Sequence, residues 1–232
     1  MSTLVECSHL SKRFGAKEAL SDLSFTLEKG RIIGLLGPNG SGKTTLLKTM
    51  NGLLVPTAGE IRINGAQPGI ETKKVISYLP ERTYLNDWMK ACDIIDFFED
   101  FYTDFNREKA YDMLDRLHVN PKDPLKSMSK GTREKVQLVL VMSREAELYC
   151  LDEPIGGVDP ASRDYILDTI LTNYSSDASL LISTHLIADI EKYLDDVIFL
   201  KDGSIYLSGS AEELRMQHNC SIDALFREVF RC

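Results

Sequence analysis

The chain has 232 residues, enough for one large domain or for a core carrying a smaller subdomain, with a full hydrophobic core in either case. A net charge of −8 argues against a sequence-independent grip on DNA or RNA, which needs a basic face. Five scattered cysteines without a CxxC pair fit a reducing compartment and no structural zinc, and no run approaches the roughly 18 apolar residues of a membrane span. The N-terminus lacks a signal-peptide core, so a cytoplasmic chain is expected, one that does not insert into the membrane and meets it only through a partner.

Strand-like segments at Leu4–Cys7, Phe25–Leu27, Arg31–Leu36, Glu60–Ile63 and Val75–Tyr78 predict a β-rich N-terminal part. The third of them runs into Gly37, Pro38, Asn39, Gly40, Ser41, Gly42, Lys43, Thr44 and Thr45, and a helical pattern follows from Leu46. Strand, glycine-rich loop with Gly-Lys-Thr, then helix is the phosphate-loop pattern. Its glycines let backbone N–H groups point at phosphate oxygens, and the helix presents its positive end to them. Lys43 adds a point charge on the β- and γ-phosphates, and Thr44 a hydroxyl for magnesium. A nucleotide is therefore the expected ligand.

From Ala91 the texture changes. Ile94, Ile95, Phe97, Phe98 and Phe101, then Ala110, Met113, Leu114 and Leu117, fall at helical spacing, Pro121 and Pro124 interrupt, and a third helix is expected from Lys130 to Glu145. Residues 86–145 thus read as a helical subdomain inserted into a core made of 1–85 and 146–232, the whole chain forming a single domain. Strands then alternate with helices: Leu148–Leu151, a helix from Ala161, Leu180–Ser183, a helix from Leu186, and Val197–Leu200, with a hairpin turn at Asp202-Gly203. The alternation predicts an α/β fold with a mostly parallel sheet covered on both faces.

Asp152 and Glu153 end an apolar strand. Ligands of a parallel sheet sit beyond the carboxyl ends of its strands, so both acids are expected beside the phosphate loop. Asp152 would hold magnesium, and Glu153 would position or deprotonate the attacking water. His185 closes the next strand in Ser183-Thr184-His185, where it could hydrogen-bond the γ-phosphate.

The order of phosphate loop, Ser129-Lys130-Gly131-Thr132, Asp152-Glu153-Pro154, Val158-Asp159-Pro160 and Ser-Thr-His resembles the nucleotide-binding subunit of an ATP-binding-cassette transporter over nearly the whole chain. The resemblance implies a phosphate-loop NTPase core of the RecA-like kind with an N-terminal antiparallel β subdomain. It implies two such subunits, identical or related, pairing head to tail around two Mg-ATP, and integral membrane permease subunits as partners at the inner face of the cell membrane. By the same resemblance Phe14 stacks on adenine, Glu81 stands at the magnesium-touching position usually held by glutamine, Asp159 lies in the loop that crosses between monomers, and Ser129 and Gly131 reach the partner's ATP. Lys130, Thr132 and Glu81 depart from the family's usual residues, which leaves a regulatory module with little ATPase activity as an alternative to a working exporter ATPase. Ser129 also reads independently as a helix N-cap, an anion site with no anion supplied in sequence. Tyr84, Leu85, Trp88 and Met89 read as subdomain core, or, as the resemblance implies, as the groove that receives a cytoplasmic helix of the membrane subunit. The amphipathic tail from Ile222 reads as packing back on the core in preference to a partner surface.

Overall fold

The computed structural model describes residues 2–230 apart from 157, 159 and 176, with no side chains described at 160–162. Strands β1 (Thr3–Phe14) and β2 (Lys17–Glu28) form a long hairpin, and β3 (Ile32–Leu36) leads through the glycine-rich loop into helix α1 (Lys43–Met50). Next come β4 (Ala58–Ile63), α2 (Ile70–Val75) and β5 (Ile76–Leu79). Helices α3 (Ala91–Phe101), α4 (Arg107–Arg116) and α5 (Lys130–Met142) follow before β6 (Leu148–Asp152). The remainder alternates: α6 (Pro160–Thr172), β7 (Ser179–Thr184), α7 (Ile187–Ile190), β8 (Asp196–Lys201), β9 (Ser204–Ser210), α8 (Ala211–His218) and α9 (Ile222–Val229).

Two sheets result. The smaller is antiparallel in the order β2-β1-β4; the larger runs β5-β6-β7-β3-β8-β9, parallel except for the β8–β9 hairpin. Strand β6 is buried at all five positions, as a parallel strand covered on both faces must be. Leu148 and Cys150 face a core with α1 and the antiparallel sheet, while Tyr149 and Leu151 face a second core filled by the helices. Each fully buried leucine in these layers contributes about 1.5–3 kcal/mol.

Several boundaries differ from the sequence expectation. The first two strands are much longer than Leu4–Cys7 and Phe25–Leu27, because register shifts break the period of two that marks a strand. His9 and Asp22 adopt φ of 50° and 52°, and their side chains meet at 2.7 Å. Val75 ends α2 instead of opening β5, and the third subdomain helix stops at Met142. Arg144, expected in that helix, instead lays its guanidinium against the carbonyls of Lys73, Lys74 and Ile76 and the Asp104 carboxylate. The tail helix does pack inward: Leu225 is buried, and Phe226 and Phe230 sit 5.6 and 6.1 Å from Phe199. No helix among the described residues is long and apolar enough to cross a membrane.

Candidate functional site

The phosphate loop joins β3 to α1 at the carboxyl edge of the large sheet. Two glycines there have no substitute: a Cβ on Gly37 would lie 2.4 Å from the Leu200 carbonyl, and one on Gly42, at φ 111°, 2.6 Å from that of Ala19. The Gly203 amide donates to the Ser41 carbonyl, so the β8–β9 turn braces the loop from behind. Lys43, only 6% exposed, donates to the carbonyls of Gly37 at 2.7 Å and Pro38 at 3.3 Å, and its Nζ stands 3.4 Å from Glu153 Oε1.

The two acids and the histidine converge on the same edge. Asp152 Oδ1 accepts from Ser183 Oγ at 2.6 Å and Thr44 Oγ1 at 3.2 Å; Oδ2 is buried without a hydrogen-bond partner. Burial raises the Asp152 pKa above the usual carboxylate range, helped by the charges of Glu81 and Glu153 and opposed by those two hydroxyls. Glu153 Oε2 meets His185 Nδ1 at 3.0 Å. The Glu153 backbone holds φ 50° while its amide donates to the Ser183 carbonyl at 2.9 Å. Ser183 is a positioning residue that sequence reasoning left without a role; its signal is the β6–β7 register, which pairs it with Asp152.

A cavity of about 440 Å³ brings together Phe14, Asn39, Gly40, Gly42, Lys43, Thr44, Thr45, Glu81 and Glu153. Phe14 ends β1 at the hairpin tip, 48% exposed, with Lys12 Nζ 5.2 Å from its ring centroid. Lys17 also lines this cavity, facing Phe14 across the two-residue turn Gly15-Ala16. An adjoining cavity of about 560 Å³ shares Asn39, Glu81 and Glu153 and adds His185 with Lys130, Arg133 and Glu134 from α5.

Ser129 and Gly131 line neither cavity of their own chain. Ser129 caps α5, its Oγ accepting from the Thr132 amide at 3.1 Å and contacting the Thr132 hydroxyl at 2.8 Å. A Cβ on Gly131 would meet nothing within 4 Å, so this helix end is open to approach. Asp159 lies outside the described residues. Beyond Glu81 the chain divides: Leu85 and Met89 pack against the core, whereas Tyr84 and Trp88 are 55% and 71% exposed. Tyr84 lines an apolar groove of about 440 Å³ with Tyr78, Phe98, Tyr102 and Arg82. Buried Gln137 of α5 donates to the Pro80 carbonyl at 3.0 Å, tying the Glu81 loop to that helix.

A glycine cradle with a buried lysine, flanked by a strand-end acid pair and a histidine, defines a phosphate-loop ATP-binding domain. The family model described as ABC transporter matches residues 20–156. The SkfA peptide export ATP-binding protein SkfE of Bacillus subtilis (strain 168) is 32% identical over 208 residues, 87% of each chain. The ABC transporter ATP-binding protein YtrB of the same strain is 30% identical over 93% of this chain and 75% of its own length. Among solved structures, one described as the structure of the ATP binding subunit of an ABC transporter superposes with a TM-score of 0.87 at 29% identity, covering 99% of this chain and all of the other. The chain belongs to the ABC transporter family. It is an ATP-binding subunit of that family, an ATPase that works with a membrane permease.

Proposed function

We propose that the chain powers an exporter, pairing with a second copy or a related subunit around two Mg-ATP at the inner face of the cell membrane. Export is supported by the likeness to SkfE, which is named for peptide export. The observation that carries the reading is that Lys43 and His185 meet on the two carboxylate oxygens of Glu153, which lines both adjoining cavities, while Asp152 reaches the phosphate loop through Thr44.

Each residue then has a task. Phe14 stacks on the base, and the backbone N–H groups of the loop from Asn39 to Thr45, with Lys43, hold the phosphates, while Gly37 and Pro38 shape the start of the loop. Lys43 leaves its carbonyl and Glu153 contacts for the β- and γ-phosphates, which frees the Glu153 carboxylate to orient and deprotonate the attacking water. His185, released from the same carboxylate, donates to the γ-phosphate. Ser129 and Gly131 of the second subunit close the site. The residues fit magnesium: the unpartnered Asp152 Oδ2, the Thr44 hydroxyl and the Glu81 carboxylate are the hard oxygens such an ion prefers. Among the described residues no three acids, histidines or cysteines are grouped closely enough to hold a metal by themselves, so the phosphates would complete the set. When bound, magnesium neutralises charge on the β- and γ-phosphate oxygens.

Residues 86–145 form the helical unit in this reading, and the Tyr84 groove receives a cytoplasmic helix of the permease. The test is Glu153→Gln. Calorimetry is expected to give unchanged ATP affinity while hydrolysis falls roughly 10²–10⁴-fold; a variant that hydrolyses at the normal rate removes Glu153 from the chemistry.

A further inference from the structure

Helix α3 carries aromatic rings on both sides. Phe98 and Tyr102 line the apolar groove, with ring centroids 5.5 Å apart. Phe97 and Phe101 stand on the outer side, 50% and 70% exposed and stacked on each other at 4.5 Å. A single exposed ring is ordinary, but two contiguous rings form a patch that gains from being covered.

Acids surround this patch. The helix bears Asp93, Asp96, Glu99 and Asp100 and no lysine or arginine. Arg107 occupies Asp96 and Glu99, at 2.6 Å each, while Asp93 and Asp100 form no ion pair among the described residues. Asp93, Phe97, Asp100 and Phe101 recur at the spacing of one helix face. A lipid surface is a poor match, since the cytoplasmic leaflet is itself anionic and repels this face. A cationic segment with one apolar side matches both features. Cytoplasmic loops of membrane proteins carry an excess of lysine and arginine, so a permease supplies that chemistry.

We propose that the outer face of α3 docks a basic amphipathic segment of the membrane-spanning partner, separately from the groove. The proposal rests on the reading of this chain as a transporter subunit. On the other side of α3 the groove is lined by Lys48, Lys73 and Arg82 and by no carboxylate, with Arg144 already paired to Asp104, so it selects the opposite sign. One helix thereby presents two docking faces of opposite charge, which fixes the orientation of whatever engages both.

The full chain is titrated by calorimetry with two synthetic helical peptides of identical apolar face, one with a lysine polar face and the other with a serine polar face. The lysine peptide is expected to bind about tenfold more tightly than the serine peptide and to weaken as salt rises. The Phe97→Ser/Phe101→Ser double variant is expected to lose about tenfold in that affinity, and Asp93→Asn/Asp100→Asn to lose most of the lysine preference, both with ATP binding unchanged. Equal affinity for the two peptides, undiminished affinity in the phenylalanine variant, or tighter attachment to phosphatidylserine vesicles than to the lysine peptide overturns the proposal. ATP binding is measured in the same samples, so a chain that binds ATP but no peptide loses this surface alone, and one that binds no ATP loses the transporter reading as well.

Discussion

Glu153 combines the side chain proposed to act on the attacking water with a backbone at φ 50°, a region that costs a Cβ-bearing residue of order 1 kcal/mol or more. The cost is borne because the Glu153 amide is fixed on Ser183 and the Glu153 carbonyl accepts from Gly156, leaving the carboxylate aimed between Lys43 and His185. Glu153→Gly is therefore expected to melt no lower than the parent in calorimetry while hydrolysis falls by roughly 10²–10⁴-fold, a trade between stability and activity. Burial pushes the thiols of Cys7 and Cys150 up to about 12, whereas Cys92 and Cys220 are partly exposed. Iodoacetamide at about pH 8 should label Cys92 and Cys220 in the folded chain and spare Cys7 and Cys150, as read by peptide mass spectrometry; equal labelling of all four would contradict the packing. Lys43, Asp152 and Glu153 were readable from the chain because their spacing to glycines and a strand end is local. Ser183 reaches the site through strand register, a relation between distant segments that no local pattern encodes.

At the scale of elements, Arg144 joins three pieces: the end of α2, the start of β5 and the turn after α3. Its side chain is 4% exposed, bonds Asp104 at 2.9 Å and lies 3.9 Å from the Tyr102 ring centroid. Arg144→Met keeps the bulk but strands a carboxylate and three carbonyls, at a cost of about 3–5 kcal/mol read as a lower urea midpoint. The same residue explains why the third subdomain helix was expected to run to Glu145: Arg144 and Glu145 are good helix formers, and only tertiary bonding turns them away. The hairpin of β1 and β2 was underestimated for a related reason, since its shifted register spoils the alternation that marks a strand. The tail helix was legible because its apolar spacing is unbroken. Leu225, 3% exposed, anchors it, and Leu225→Ala is expected to cost about 2–4 kcal/mol in the same measurement.

At the scale of the whole molecule, two chains of charge −8 repel unless something anionic is shared between basic or amide-lined surfaces. The open end of α5 and the phosphate loop supply such surfaces, and a single chain leaves Ser129 and Gly131 outside its own nucleotide cavity. The Glu153→Gln variant with saturating Mg-ATP is expected to elute as a dimer in size-exclusion chromatography and as a monomer without nucleotide; monomer under both conditions would remove the shared site. The Gln137 amide, clasping the Pro80 carbonyl from inside α5, gives this pairing a mechanical sequel. In the proposed pairing, a tug that a bound triphosphate exerted on the neighbouring Glu81 would be handed through this bond to the helix that Ser129 caps, so that filling one pocket would bear on the tip proposed to seal the other.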